Sequence, residues 1–495
     1  MPTFEEEFNQ KFQSAQQRAS SDSHQQSGNR RDRSTNREKN LLRLDRRDPM
    51  RSARNLLDAC FLDSNGRPLL QKHRGIFWHY RGSCYRPADD DTIRAAAWKF
   101  LELAFIDEGL ELLFKPTRSR VSDVIDALSS VCHLDSDIEP PVWLEDEPGD
   151  PEAGELFPVS NGLLHLPTGR LLTPTPRFFG LAASDVEFNP SAPDPKCWLD
   201  FLSDLFGDDV EAINTLQEYF GYTLAPDTSQ QKIMLVVGPT RSGKGTIARA
   251  HMGLLGRDNV AGPTLASLQT NFGLAPLIGK SLAIVSDARL SARADQAIIV
   301  EPLLSISGED AITIDRKFLP TWTGRLPTRF LLLSNELPRL SDSSGALAKR
   351  FIVLVLEQSF YGHEDRALTT RLLNERSSIL KWALAGHARL RERGHFLQPT
   401  SGRDAIEQLE TLSSPVTAFV RESCRIGTGL TTATHSLYQA WCEWCSSNGR
   451  RQPGTAQTLG RDLKAAFPKI KTTNPLRSQD YRTRYYEGIG LRDTR

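Results

Sequence analysis

The stretch "KIMLVVGPTRSGKGTIARAHMGLLG", residues 232–256, constrains this chain more than any other. It runs from an apolar, β-type segment through a glycine-rich loop into a helical segment. A strand that is apolar throughout must be buried on both faces, which calls for a parallel sheet covered by helices. Three more such runs follow: "SLAIVSD", "RFLLLSN" and "RFIVLVL". Helical or loop segments separate them, so the expected fold class is α/β, with strands alternating with helices.

The loop itself, Gly238-Pro239-Thr240-Arg241-Ser242-Gly243-Lys244-Gly245-Thr246, has the G-x-x-x-x-G-K pattern of a phosphate-binding loop. Backbone N–H groups around Gly238–Gly245 and the positive end of the following helix would cradle a β-phosphate. Lys244 would reach the β- and γ-phosphates. The pattern asks for a hydroxyl after the lysine to hold Mg2+, yet Gly245 stands there. Two answers stay open: Thr246 takes the role, or the metal is held through water and an acid elsewhere. Such an acid leaves the second apolar run at Asp287, where it could reach the metal. Asn335 ends the third run and could position a water molecule, and Arg350 stands just before the fourth. Each residue alone is weak evidence, since Asp and Asn also begin turns. Four stations at the edges of successive buried strands, where ligands of open α/β sheets bind, are strong together.

The rest of the chain sets the context. At 495 residues it is long enough for two to four domains. Its formal net charge is zero, so nucleic-acid binding has to rest on local charge. Seven cysteines do not form a disulfide framework, and reduced thiols in a cytoplasmic protein are expected. Cys442 and Cys445 have metal-like spacing without a second pair, which favours packing in a helix. The N-terminus has no apolar run and no stretch is long enough to span a membrane, so no membrane partner is expected. Residues 1–55 are rich in Gln, Ser, Asn and Arg and are expected to be a disordered basic tail. Residues 30–54 alone carry ten bases against four acids. A hairpin is expected in "GIFWHYRGSCY", followed by two helices. Residues 134–155 hold nine acids and no base, and read as a linker or exposed loop. The D-x-D at Asp135 and Asp137 is read there as solvated charge. Short strands joined by Asn-Gly and Thr-Gly turns then lead to a helical stretch ahead of the loop. Residues 413–495 suggest a small helical domain ending in a hairpin, and residues 443–495 carry eleven bases against five acids.

With these motifs in order, the sequence resembles the superfamily three helicases of the phage and plasmid primase-helicase type, which include the C-terminal part of the poxvirus primase-helicase. The resemblance covers roughly residues 75–490. "NGLLHLPTGRLLTPTPRFF" and "LFGDDVEAINTLQEYFGYTL" are similar to that family's collar. "FGLAPLIGKSLAIVSDARL", "LLSISGEDAITIDRK", "LPTRFLLLSNELPRLSDSSGALAKRF" and "SFYGHED" are similar to its helicase core. "SPVTAFVRESC", "LYQAWCEWC" and "LGRDLKAAFP" resemble its C-terminal winged-helix domain. The resemblance implies a tail at 1–55, an α+β collar at 56–205, an AAA+-like ATPase at 206–400 and a winged helix at 412–495. It implies Walker A at Gly238–Thr246, Walker B at Asp287, sensor one at Asn335 and an arginine finger at Arg350. It also places a DNA-touching hairpin on "GEDAITIDRKFLPTWTG", with Arg316 and Lys317 as the contacts. ATP and Mg2+ are the implied cofactors. Single-stranded or forked DNA is the implied partner, within a homo-hexamer, with a separate primase or other replication proteins as further partners. Too few residues precede the resemblance for a polymerising domain, so no primase activity is expected of this chain.

Two departures matter: Gly245, and Ser286-Asp287 in place of two acids at Walker B. Asp287 would then serve both roles, or Glu309 or Asp310 would contribute. Two other functions compete with a helicase. A DNA-binding initiator could use nucleotide as a switch with little hydrolysis. A small-molecule kinase shares "GPxxxGKGT", but 237 residues precede the loop here, and Asn335 and Arg350 have no part in a kinase.

Overall fold

The computed structural model describes residues 42–106, 112–288, 296–317, 319–338, 340, 342, 345–448, 453–473 and 484–492. The chain divides into two compact units, Met1–Ala183 and Ser184–Arg495. Of the tail expected at 1–55, residues 1–41 lie outside the described residues. The remainder corrects that expectation. Arg43–Leu44 pairs in parallel with Phe105–Ile106, and a helix runs from Pro49 to Cys60. Asp48 caps the helix by accepting from Arg51 N–H, and Pro49 sits where its missing N–H costs nothing. Ala53, Leu56, Leu57 and Cys60 form a buried stripe at helical spacing, diluted to the eye by arginines on the opposite face.

In the first unit that stripe packs with helices Asp90–Glu102 and Arg118–Val131 around Phe77, Phe100 and Leu128. The expected hairpin is present as Ile76–Arg81 and Cys84–Ala88, with Leu70–His73 as a third antiparallel strand. Strands Leu156–Val159, Gly162–His165 and Arg170–Leu172 form a second meander through the anticipated turns. The acidic stretch 134–155 is more firmly tied than a linker. Val142–Trp143 pairs with Phe178–Phe179, Trp143 Nε1 donates to Pro151 O at 2.8 Å, and Arg177 binds Asp150 at 2.8 Å.

The second unit is built on a five-stranded parallel sheet: β1 (Ile233–Val237), β2 (Val260–Ala261), β3 (Leu282–Val285), β4 (Arg329–Ser334) and β5 (Phe351–Val355). Their order is β2-β3-β4-β1-β5. The four apolar runs supply the four long strands, buried on both faces. The fifth, β2, is two residues long and sits at an edge, too short to carry a periodic signal.

Helix Lys196–Phe206 belongs to this unit, with Trp198 packed at tilted and edge-on angles against Phe201, Phe220 and Trp382. Helices Val210–Tyr222 and Arg376–Arg393 meet backbone to backbone. A Cβ on Gly221 would lie 2.5 Å from both Ala383 O and His387 N, and one on Gly386 would lie 2.3 Å from Gln217 O. That approach seats the buried Glu218 carboxylate against Arg389 (2.7 Å) and Arg393. Gly221→Val is therefore expected to lower stability by ~1–3 kcal/mol or more, the usual cost of overpacking. Gly262→Ala, which meets nothing within 4 Å, should leave the urea midpoint unchanged.

The last part of the unit runs helix Pro415–Ser423, strand Cys424–Ala433, helix Thr434–Ser447, helix Ala456–Ala466, strand Lys471–Thr473 and strand Tyr485–Leu491. Strand Tyr485–Leu491 pairs antiparallel with both of the others. The glycines and threonines of "CRIGTGLTTA" hide the first strand in the sequence, which suggested a more helical domain. Residues 481–483 of the expected terminal hairpin lie outside the described residues. Cys445 is fully buried in the local core with Trp441 and Leu463, and Cys442 packs against that core. Among the described residues no helix is long and apolar enough to cross a membrane.

Candidate functional site

β1 ends at Val237 and the chain turns through Gly238–Gly243 into helix Lys244–Leu255. Close packing dictates glycine at the start. A Cβ on Gly238 would lie 2.6 Å from Leu356 O, while its N–H donates to Ser334 O at 3.2 Å. Arg241 (φ 62°) and Gly243 (φ 90°) take left-handed conformations, which bend the loop into a bowl. Inside it, Lys244 is 9% exposed. Its Nζ donates to Gly238 O (2.6 Å), Pro239 O (2.7 Å) and Ser242 Oγ (3.2 Å). Burial pulls the ammonium below its ordinary pKa. These acceptors are neutral. An anion seated at the bowl would give the ammonium a charged partner and the positive end of the helix a counter-charge.

The bowl opens into a cavity of about 840 Å³, large enough for a nucleotide. Thr240–Thr246 form one wall, with Asn335 beside them. The register Val237↔Ser334 brings Asn335 level with Gly238. The opposite wall was not recognised in the sequence. Helix Lys196–Phe206 contributes Lys196, Cys197, Asp200, Phe201 and Asp204, a stripe at helical spacing. Phe201 and Leu205 press against Gly243, where a Cβ would come within 2.7 Å of Leu205. The stripe is visible in "KCWLDFLSD", but nothing in that stretch says what it faces. The third wall follows β5. Leu356 N donates to Val237 O (2.7 Å), Ser359 Oγ to Thr240 O (2.8 Å) and Phe360 N to Arg241 O (3.0 Å). Arg241 pairs with Glu364 at 3.4 Å, so "SFYGHED" forms a strap across the loop. Arg371 lies 2.6 Å from Asp365 and holds that carboxyl below its usual range.

The other predicted residues are distributed unequally. Asp287 is exposed just beyond β3, and the next residue, Ala288, donates its N–H to Leu333 O at 2.9 Å. It therefore shares the sheet edge with Asn335 but is not part of the cavity wall. Thr246 Oγ1 accepts from Arg249 at 2.9 Å. Arg350 is at the other end of the sheet. It precedes Phe351, which pairs with the first residue of β1, whereas the loop follows the last. Five residues of strand stand between the two levels, roughly 20 Å over six steps at ~3.3 Å per residue. Arg350 donates to Ser307 Oγ at 3.0 Å and feels the charge of Asp310. Glu309 (φ 66°) accepts from Thr228 Oγ1 at 2.7 Å. Both acids thus accompany Arg350, away from the cavity of their own chain. Arg316 and Lys317 stand at the turn of the hairpin Ile312–Arg316 and Leu319–Gly324, where Arg316 Nε donates to Pro320 O at 2.8 Å. Asp135 accepts from Asp137 N at 3.0 Å in an exposed turn.

Sheet and site together define a mixed α/β protein with a glycine-bounded, lysine-filled bowl at the carboxyl edge of a parallel sheet. Comparison with known proteins agrees with the mixed α/β fold. Residues 59–207 match the family described as "D5 N terminal like", and residues 236–350 match a family of unknown function, DUF5906. The fold is similar to the apo structure of the NrS-1 C terminal region (305-718), at 13% identity and a TM-score of 0.50, covering 90% of this chain and 99% of that one. The A form apo structure of the same region matches at 11% identity and a TM-score of 0.46, covering 85% of this chain and 96% of that one. The D5 N terminal like match supports the phage-type primase-helicase kinship that the motifs imply.

Proposed function

We propose that this chain is an ATP-driven DNA helicase of superfamily three, acting in the replication of a phage, plasmid or mobile element and hydrolysing ATP between the subunits of a ring. The observation that carries this reading is the split site. The bowl, Lys244 and Asn335 border one cavity, while Arg350 lies at the far end of the same sheet. An arginine there is away from its own chain's bowl and, as a finger, would serve a neighbour's nucleotide. The bowl fits ATP, since Gly238 and Gly243 leave no room for side chains and its lysine is buried among neutral acceptors. Thr246 and Asp287 are the residues that would hold Mg2+, which neutralises phosphate charge. Asn335 would orient the attacking water, and Lys244 would draw charge from the β- and γ-phosphates. Steady-state hydrolysis with and without single-stranded DNA, and unwinding of a forked duplex, test the reading. The exposure of Asp287 favours one alternative, a nucleotide-switched initiator. Tight ATP binding with no DNA-stimulated turnover would establish that role instead.

DNA would meet the protein at two places. The helix-strand-helix-helix-strand-strand order after residue 414, with the last strand central, supports a winged helix whose reading helix is Ala456–Ala466. The hairpin carrying Arg316 and Lys317 would grip the phosphate backbone inside the ring. Neutralising both residues should weaken binding to all sequences alike and flatten its salt dependence. The double alanine variant is expected to keep basal hydrolysis and lose unwinding. Wild-type unwinding would move the grip to the C-terminal helices.

A further inference from the structure

The gap at residue 245 is bordered by a cation. A Cβ built on Gly245 would have only Arg249 within 4 Å, with NH1 at 3.2 Å. Arg249 is one helical turn further on, and helical side chains lean back toward the N-terminus, so its guanidinium returns to the level of the loop. Two hydroxyls that also line the cavity fix it there. Its NH2 donates to Thr246 Oγ1 at 2.9 Å, and its Nε donates to Thr369 Oγ1 at 3.2 Å. Thr369 lies on the helix that follows the strap, so the guanidinium bridges the loop helix and the third wall. Where the loop pattern has a hydroxyl for a metal, this chain has a fixed fork of N–H donors.

We infer that Arg249 is a phosphate-binding residue of the cavity, and that Gly245 is the opening through which its guanidinium reaches the nucleotide's phosphates. The inference rests on the nucleotide reading of the bowl. It accounts for Gly245 without requiring a replacement ligand at that position. A planar guanidinium can bind two phosphate oxygens at once and brings the positive charge that a weakly held metal would leave lacking. It also gives Thr246 a second function, since its hydroxyl orients the arginine.

The test is ATP affinity, measured by calorimetry on the full chain in magnesium and again in EDTA, with hydrolysis alongside. Arg249→Ala removes an exposed side chain and should weaken ATP binding on the order of tenfold or more, the scale of a charged hydrogen bond, with the loss persisting in EDTA. Gly245→Ser restores the usual loop residue, yet should reduce ATP affinity severalfold by crowding the guanidinium. In the Arg249→Ala background the same serine should cost nothing further, because the group it displaces is gone. Wild-type affinity in Arg249→Ala, or faster hydrolysis in Gly245→Ser, overturns the inference. If Lys244→Ala loses ATP while Arg249→Ala keeps it, only the role of Arg249 fails. If Lys244→Ala binds ATP normally, the nucleotide site fails and Arg249 with it.

Discussion

Lys244→Ala should abolish ATP hydrolysis. The ammonium lies buried inside the bowl, where it satisfies three acceptors at 2.6, 2.7 and 3.2 Å. Its removal leaves those acceptors facing the phosphates with no donor between them, so both ground-state binding and neutralisation of the transferring group are lost. Each hydrogen bond to a charged group contributes ~1.5–3 kcal/mol. Two such contacts to the β- and γ-phosphates already amount to a hundredfold or more in rate or affinity. Asp287→Ala is expected to differ, with ATP binding largely intact and turnover stopped, because Asp287 sits at the sheet edge outside the cavity wall. Calorimetry beside a phosphate-release assay separates the two. Normal turnover in Lys244→Ala would remove the loop from the mechanism.

Arg350→Ala should bind ATP normally and lose about a thousandfold in turnover, the scale of arginine fingers. The geometry makes this a statement about assembly. Arg350 lies roughly 20 Å from its own bowl, measured along strands at ~3.3 Å per residue. In the proposed ring, the two defects would fall in different subunits' halves of one site. Mixing Arg350→Ala with Lys244→Ala protein should restore part of the activity, since some interfaces then pair an intact bowl with an intact finger. Co-assembled mixed rings with no recovery would make Arg350 structural, through its bond to Ser307 and its place before β5.

The four long strands and the loop were legible because burial on both faces leaves an unbroken apolar run, and only a glycine-rich turn joins such a run to a helix in this way. Asn335 was legible for the same reason, as it ends its strand beside Gly238. The remaining walls were not. Lys196, Asp200 and Asp204 look like the polar side of any amphipathic helix, and tertiary packing alone turns them toward the loop. Helix Pro49–Cys60 was hidden by its arginines, since composition averages over two faces that the fold separates. Arg249 carried no signal at all. Its significance depends on the atom that Gly245 lacks, which becomes visible only when a Cβ is built there.

β5 joins two places that have been described separately. Arg350 stands before its first residue, and the strap that closes over the loop of the same chain begins just after its last. Pairing with β1 over all five residues makes β5 a stiff link between them. In the proposed ring, a shift of the strap when one nucleotide binds or leaves would be passed lengthwise to the arginine that serves the next. Each subunit would then act as a relay, receiving at one end of a five-residue strand and sending at the other, so that firing travels round the ring in one fixed rotational sense.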